Sequence, residues 1–115
     1  MKPGLGQTVC ETPEYISWAN KVMTAKDRID FIDFIAHNPK AGDIMEKTSV
    51  ARKVRFARKG QGKSGSYRII YYFHDTENPL YLFTIFGKGE KANISDAGRN
   101  ALRTLIRLLK KELRS

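Results

Sequence analysis

The segment of residues 52–86, RKVRFARKGQGKSGSYRIIYYFHDTENPLYLFTIF, carries the alternation that decides the fold. At its start Val54 and Phe56 would point to one face of a strand, and Lys53 and Arg55 to the other, because successive side chains of a strand alternate. β-branched and aromatic residues dominate the rest, and these residue types favour strands. We therefore predict an antiparallel meander of three strands. The three predicted strands are residues 52–58, 67–74 and 80–86.

The stretch RKGQGKSG at residues 58–65 is similar to the phosphate-binding loop of nucleotide hydrolases. The full pattern requires a glycine where this chain has Ala57. A working loop also opens a helix, whose N-terminal amides receive the phosphates, whereas the residues that follow here predict a strand. We therefore interpret the stretch as a hairpin loop, in which glycines let the chain reverse and Lys59 and Lys63 lie at the end of the sheet.

Two helices are predicted before the meander. Thr12-Pro13-Glu14 combines a hydroxyl cap, a proline that needs no amide partner and an acid at the positive end of the helix dipole. The first helix is expected to end near Lys26-Asp27, and the second at Asn38-Pro39, because the residue before a proline avoids helical angles. Their aromatic-rich faces are typical of core packing. We expect a helical hairpin against the sheet.

A third helix is predicted after Ser95-Asp96, which would form its cap. An apolar stripe at three- and four-residue intervals would dock on the sheet or on a partner. The stripe consists of Leu102, Leu105, Ile106, Leu109 and Leu113. A row of cations on another face fits a nucleic-acid surface or a solvated one. The row consists of Arg99, Arg103, Arg107, Lys111 and Arg114. A short strand near residues 8–10 would complete the sheet.

The length of 115 residues, 41% of them hydrophobic, suffices for one core. We predict a single domain over residues 1–115, with residues 1–7 as a loose tail. The lone Cys10 excludes an intrachain disulfide, and no apolar run is long enough to span a bilayer. The N terminus lacks the apolar core of a secretory signal. A cytoplasmic protein fits these observations best.

Charge is distributed unevenly along the chain. Residues 1–46 hold five basic and seven acidic side chains, net −2, and residues 47–115 hold sixteen and five, net +11. No carboxylate lies between Glu46 and Asp75, and eight cations do. One is Lys47, and the others are Arg52, Lys53, Arg55, Arg58, Lys59, Lys63 and Arg68. Such a block favours a polyanionic partner, because evenly mixed signs would serve better as a merely solubilising surface.

The chain offers little for metal or triad chemistry. His37 and His74 have no cysteine or carboxylate at metal-ligand spacing, and we interpret both as structural. If the second strand continued through residue 75, His74 and Asp75 would point to opposite faces and form no catalytic pair. Aspartates at 27, 30 and 33 recur at threes on the second helix, which is most often a solvated face. We expect no metal and no cofactor.

Cations from neighbouring strands converge on the predicted sheet. Lys53 and Arg55 share a face, Arg68 falls on the face of the second strand that holds Ile70 and Tyr72, and such positions can lie side by side in a meander. Lys88 and Lys91 follow the end of the third strand. These five cations suit a phosphate, and binding alone needs no more.

Cleavage of RNA requires more than the binding of a phosphate. It needs a 2′-hydroxyl aligned against the phosphorus, a base, an acid for the leaving oxygen, and positive charge on the phosphorane oxygens. Crowded cations favour a neutral lysine that acts as base, while arginine stays charged and steadies the phosphate. Tyr71 or Tyr72 would stack on a base, although core packing is the simpler interpretation of both.

The run VARKVRFARKGQGKSGSYRIIYYF, the segment YLFTIFGKGEKANIS and the Leu-rich terminal helix resemble the RelE/HigB branch of the RelE/ParE superfamily, toxins of bacterial type II toxin–antitoxin systems. The resemblance extends from ETPEY at residue 11 to about residue 109. It implies an α+β, RelE-like fold, in which an N-terminal helical hairpin packs on a small antiparallel β-sheet with a C-terminal helix.

The resemblance also implies a function, metal-independent cleavage of mRNA in the ribosomal A site that arrests growth. The implied partners are the ribosome, mRNA and an antitoxin, usually a helix-turn-helix protein of the HigA type. Operator DNA would be contacted only through the antitoxin, and no membrane is implied. By position, the family's catalytic site falls on Lys53, Arg55, Arg68, Lys88 and Lys91. The RNA-binding residues would be Arg52, Arg58, Lys59, Lys63 and Tyr72.

Two departures from RelE leave the general acid open. Gly89 stands where RelE has an arginine, and the tyrosine that RelE carries shortly afterwards has no equivalent near Ile94-Ser95. Two other function classes also stay open. A ParE-like poison of DNA gyrase would use the same fold through protein contacts, but it would not need cations to converge on the sheet. A plain RNA-binding module would hold phosphates with the same cations and never cleave.

Overall fold

A computed structural model describes residues 6–48, 50–57, 66–87 and 94–113. Three helices and five strands form an α+β fold in these residues. The α+β class and the three helices were predicted, whereas β2 was not. In chain order the elements are β1 (Val9–Glu11), α1 (Pro13–Val22), α2 (Ala25–His37), β2 (Asp43–Ile44), β3 (Arg52–Ala57), β4 (Ser66–Tyr72), β5 (Leu80–Phe86) and α3 (Asp96–Glu112).

The five strands form one mixed sheet in the order β1-β5-β4-β3-β2. The antiparallel meander β3-β4-β5 is confirmed, and β2 adds to it as an antiparallel edge strand. The sheet is not antiparallel throughout, because β1 lies parallel to β5, with Val9 opposite Leu80. The predicted hairpin loop lies outside the described residues, which show only that the neighbouring strands β3 and β4 pair antiparallel.

The caps explain where the first two helices begin and end. The Thr12 hydroxyl accepts from the amide of Tyr15 at 3.3 Å and starts α1, as predicted. The predicted end near Lys26-Asp27 is wrong, because the Thr24 hydroxyl accepts from the amide of Asp27 at 3.0 Å and starts α2 there. An aspartate is favourable in that first turn because it meets the positive end of the helix dipole.

The core lies in two layers, one on each face of the sheet. On one face α1 and α2 cover the central strands, and Tyr15, Phe31 and Leu82 are fully buried there. On the other face α3 packs through Ile106, which is 1% exposed, onto a second cluster that includes Ile70. Because β4 is buried on both faces, it is nearly continuous in apolar and aromatic residues.

The predicted apolar stripe of α3 docks mainly on the sheet. Leu102, Leu109 and Leu113 pack with Ile106 against the second cluster, whereas Leu105 keeps 41% of its surface exposed.

None of the helices in the described ranges is long and apolar enough to cross a membrane.

Candidate nucleic-acid interface

Two arginines lie directly opposite each other on neighbouring strands. Arg55 of β3 pairs with Arg68 of β4 in the antiparallel ladder, and the Cβ atoms of such a pair are about 5 Å apart. Arg55 is exposed and Arg68 is half-buried. Within residues 6–48, 50–57, 66–87 and 94–113, no ion pair or side-chain hydrogen bond engages either guanidinium. Two positive charges therefore meet without a carboxylate between them.

The alternation of β3 decides which cations share this face. Val54 and Phe56 pack in the layer covered by the helical hairpin, so Lys53 and Arg55 lie on the face that carries α3. Lys53 is half-buried and stands opposite Ile70 of β4 on one side and Asp43 of β2 on the other. Lys53 thus shares the face of the arginines, but it has a carboxylate as its cross-strand neighbour.

A cleft of about 270 Å³ adjoins Lys53 at the edge of the sheet. Arg99, from the first turn of α3, lines this cleft and donates from Nη1 to the carbonyl of Glu46 at 2.7 Å. The Ser95 hydroxyl accepts from the amide of Gly98 at 3.0 Å and so sets where α3 begins. In the sequence, Arg99 is one of a row of cations along a helix. Its position beside Lys53 could not be predicted from a local pattern, because only the tertiary packing of α3 brings the two residues together.

Arg103 has the same type of anchor one turn further along α3. Its Nε donates to the carbonyl of Lys47 at 3.2 Å. Arg99 and Arg103 thus both hydrogen-bond to the turn between β2 and β3, where Lys47 has a positive φ of 64°. The row of α3 cations is therefore partly structural, and Arg99 differs from Arg103 in lining the cleft.

Arg52 does not join the cluster. It stands opposite Tyr71 in the ladder, so it lies on the hairpin side of the sheet. Its Nη1 donates to the carbonyl of Gly42 at 2.7 Å and approaches that of Lys40 at 3.5 Å. In this position the guanidinium closes the turn that leads into β2, and the contact of Arg52 with RNA stays a prediction.

The two tyrosines at the end of β4 belong to the core. Tyr72 is 2% exposed, in the cluster under α3, so its ring offers no open face for the base that we predicted it to stack on. Its hydroxyl is 2.8 Å from Nδ1 of His74. The hydroxyl of the fully buried Tyr71 accepts from the amide of Gly42 and donates to the carbonyl of Pro39, both at 2.8 Å. Burial raises the pKa of both tyrosines.

His74 and Asp75 lie closer together than their alternation predicts. Because β4 ends at Tyr72, the two side chains turn toward each other, and His74 Nε2 is 3.7 Å from Asp75 Oδ2. Asp75 organises the next turn, since Oδ1 accepts from Asn78 Nδ2 at 2.8 Å, which holds the pKa of the Asp75 carboxyl below its usual value. This group lies about 20 Å along the strand from Arg68, so it is not part of the arginine site.

Five of the predicted site residues lie outside the described residues, and their roles stay predictions. They are Arg58, Lys59, Lys63, Lys88 and Lys91. Across the described ranges, no three His, Cys, Asp or Glu side chains come together in a way that would hold a metal ion. The groups that the described sheet does bring together are Lys53, Arg55 and Arg68, and α3 adds Arg99.

A comparison against known protein families gives a match. The model of the RelE toxin of the RelE/RelB toxin–antitoxin system matches residues 40–114. This match spans 75 of the 115 residues and takes in β2 to α3 together with every cation of the site. The chain therefore belongs to the family of RelE toxins, and it is a toxin of a toxin–antitoxin system.

Proposed function

We propose that this toxin is a ribosome-dependent endoribonuclease that cleaves mRNA in the A site and thereby stops translation. The observation that carries the proposal is the cross-strand pair of Arg55 and Arg68. Like charges directly opposite each other destabilise a sheet, and an anion bound between the two guanidiniums would relieve the repulsion of this pair, which has no carboxylate partner within the described residues. The planar guanidiniums of both side chains match the oxygens of a phosphate.

The chemistry assigned to the pair is stabilisation of charge. When the 2′-oxygen of RNA attacks the adjacent phosphorus, negative charge grows on the non-bridging oxygens of the phosphorane. Two fixed guanidiniums favour that state over the ground state, which is how a charged site accelerates a reaction. The 5′-oxygen leaves with a proton from an acid, and a base takes the proton of the 2′-hydroxyl.

The residues that move these protons are proposed by position. Lys53 is the candidate base in the described part of the site, because it shares the face of the arginines. Lys88 and Lys91 are the candidates for the acid that follow from the resemblance to RelE and HigB. No metal takes part in this scheme.

The partners follow from the same proposal. A toxin–antitoxin system pairs the toxin with an antitoxin, and we propose one of the HigA, helix-turn-helix type, with the ribosome and mRNA as targets in the cytoplasm. The resemblance of the GKSGSYR and GKGEKANIS segments to the HigB branch supports this choice.

The test is a translation assay on ribosomes with a defined mRNA, in which primer extension maps the cuts. Wild-type protein is expected to cut within A-site codons, and Arg68→Ala is expected to slow cutting by about 100-fold or more. Arg107→Ala, which removes an exposed cation of α3, is the matched control and should cut normally. Circular dichroism and antitoxin binding should show that Arg68→Ala stays folded.

Other outcomes would point to the other function classes. Translation of an intact message by ribosomes treated with wild-type toxin would contradict nuclease activity, and inhibition of gyrase supercoiling would then identify a ParE-like poison. Binding of RNA without any cut would identify a plain RNA-binding module. Undiminished cutting by Arg68→Ala would remove the arginine pair from the active site.

A further inference from the structure

The cleft beside the arginine pair contains charges of both signs. Its cations are Lys53 and Arg99, its carboxylates are Asp43 and Glu46, and Ile44 and Met45 complete its lining. Two positive and two negative side chains give the cleft no net charge. A phosphate gains little from such a site, because each carboxylate repels it. A neutral ligand with both hydrogen-bond donors and acceptors matches the cleft better.

We propose that this cleft binds a nucleobase of the RNA, and guanine in preference to the others. The proposal rests on the proposed function, because it takes RNA as the ligand. Guanine presents acceptors at O6 and N7, which suit a guanidinium. It also presents two adjacent donors, N1–H and the N2 amino group, which suit a carboxylate that accepts with both oxygens. The four charged residues of the cleft supply both kinds of partner.

The position of the cleft fits a base that belongs to the bound phosphate. Lys53 and Arg55 are two residues apart on one face of β3, a separation of about 7 Å. A nucleotide spans a comparable distance between its phosphate and its base. A volume of about 270 Å³ accommodates a single base.

Arg99 is held ready for this contact. Its Nη1 is fixed by the carbonyl of Glu46 at 2.7 Å, which leaves the other donors of the planar fork for a ligand. The Ser95 cap and the packing of Ile106 fix the helix that carries it. An anchored side chain loses less conformational entropy when it binds, which improves discrimination.

The experiment measures equilibrium binding, so that it does not depend on cleavage. Tetranucleotides UGUU, UIUU and UAUU, with 2′-deoxyribose at the second position to prevent cleavage and a fluorescent end, are titrated with toxin while anisotropy is followed. Wild type is expected to bind UGUU at least about 5-fold more tightly than UAUU, the lower end of what a bidentate base contact provides. Inosine lacks the N2 amino group, and UIUU is expected to fall between them.

Two variants distinguish recognition of the guanine base from the general attraction of RNA to a positively charged protein. The double variant Asp43→Asn and Glu46→Gln is expected to bind UAUU more tightly than wild type, because two negative charges near the phosphates are gone, and yet to lose the preference for guanine. Arg99→Ala should lose the preference as well. Arg103→Ala is the matched control, since it removes an equivalent hydrogen bond to the same turn, at the carbonyl of Lys47. It should keep the preference for guanine.

Each result decides a separate question. Equal affinity of wild type for UGUU and UAUU, or equal loss of preference in Arg99→Ala and Arg103→Ala, would overturn the guanine cleft and leave the nuclease proposal standing. A preference for guanine that vanishes in the double variant would support the cleft even if the ribosome assay shows no cutting. In that case only the nuclease proposal would fall.

Discussion

At the scale of the residue, the proposed site at Arg55 and Arg68 is expected to cost stability. We expect Arg55→Thr to raise the free energy of unfolding by about 0.2–1 kcal/mol in low salt, because it removes a like-charge pair and places a strand-favouring residue on β3. The gain should shrink as salt is added, since Arg55 is exposed and its repulsion is screened. Urea denaturation at low and high salt measures both effects.

Lys53→Thr is the matched control for that measurement. It lies on the same strand and the same face, but its cross-strand neighbour in β2 is Asp43, so removing its charge should leave stability unchanged or lower. A lower stability of Arg55→Thr in low salt would contradict the idea that the arginine pair is held together at a cost.

The same scale shows what alternation can and cannot predict. It placed Arg55 and Arg68 on one face correctly, because the side-chain period of a strand is fixed. Alternation did not predict that Arg52 bonds to a backbone carbonyl or that Tyr72 is buried. The side-chain period does not reveal which face of the sheet a helix covers, or which carbonyl lies within reach of a guanidinium. The position of Arg99 in the cleft was not predictable for the same reason, as it depends on how α3 docks.

At the scale of the element, strands long enough to show a period were predicted well. β3, β4 and β5 lie within two residues of their predicted bounds. β1 has only three residues, too few to show a period, and the parallel pairing with β5 has no signature in so short a run. The misplaced break between α1 and α2 reflects the cap at Thr24, since the helical periodicity continues across it.

α3 is the element whose docking completes the site, and its stability contribution is testable. Ile106→Ala is expected to lower the free energy of unfolding by about 2–5 kcal/mol, because a side chain that is 1% exposed would leave a cavity between helix and sheet. Leu108→Ala, on the same helix but 54% exposed, should change it by less than about 0.5 kcal/mol. Urea denaturation followed by circular dichroism measures both.

If the two variants were equally stable, α3 would not be docked through Ile106. The loss in Ile106→Ala should also weaken the guanine preference of the cleft, because Arg99 would no longer be held beside Lys53. Docking of this helix thus links the core to the site through rigid positioning.

At the scale of the whole molecule, charge and architecture divide the chain in the same place. Residues 1–46, net −2, include the helical hairpin on one face of the sheet, and residues 47–115, net +11, include β3 to β5 and α3. Among the described residues, the face that carries the arginine pair also holds Lys53, Arg99 and Arg103, so it is a face that attracts a polyanion. This separation fits a toxin that engages RNA with one surface.

The separation predicts how RNA binding responds to salt. Each phosphate contact on a single strand contributes about −0.7 to the slope of log affinity against log salt concentration. Arg68→Ala is therefore expected to make the slope for a uridine oligonucleotide shallower by about 0.7. Lys26→Ala is the control, because Lys26 lies on the hairpin and pairs with Asp30 at 3.0 Å, and its slope should equal that of wild type. Equal slopes for wild type and Arg68→Ala, or an equal change in both variants, would mean that RNA is bound through the diffuse charge of the protein and not through the arginine pair.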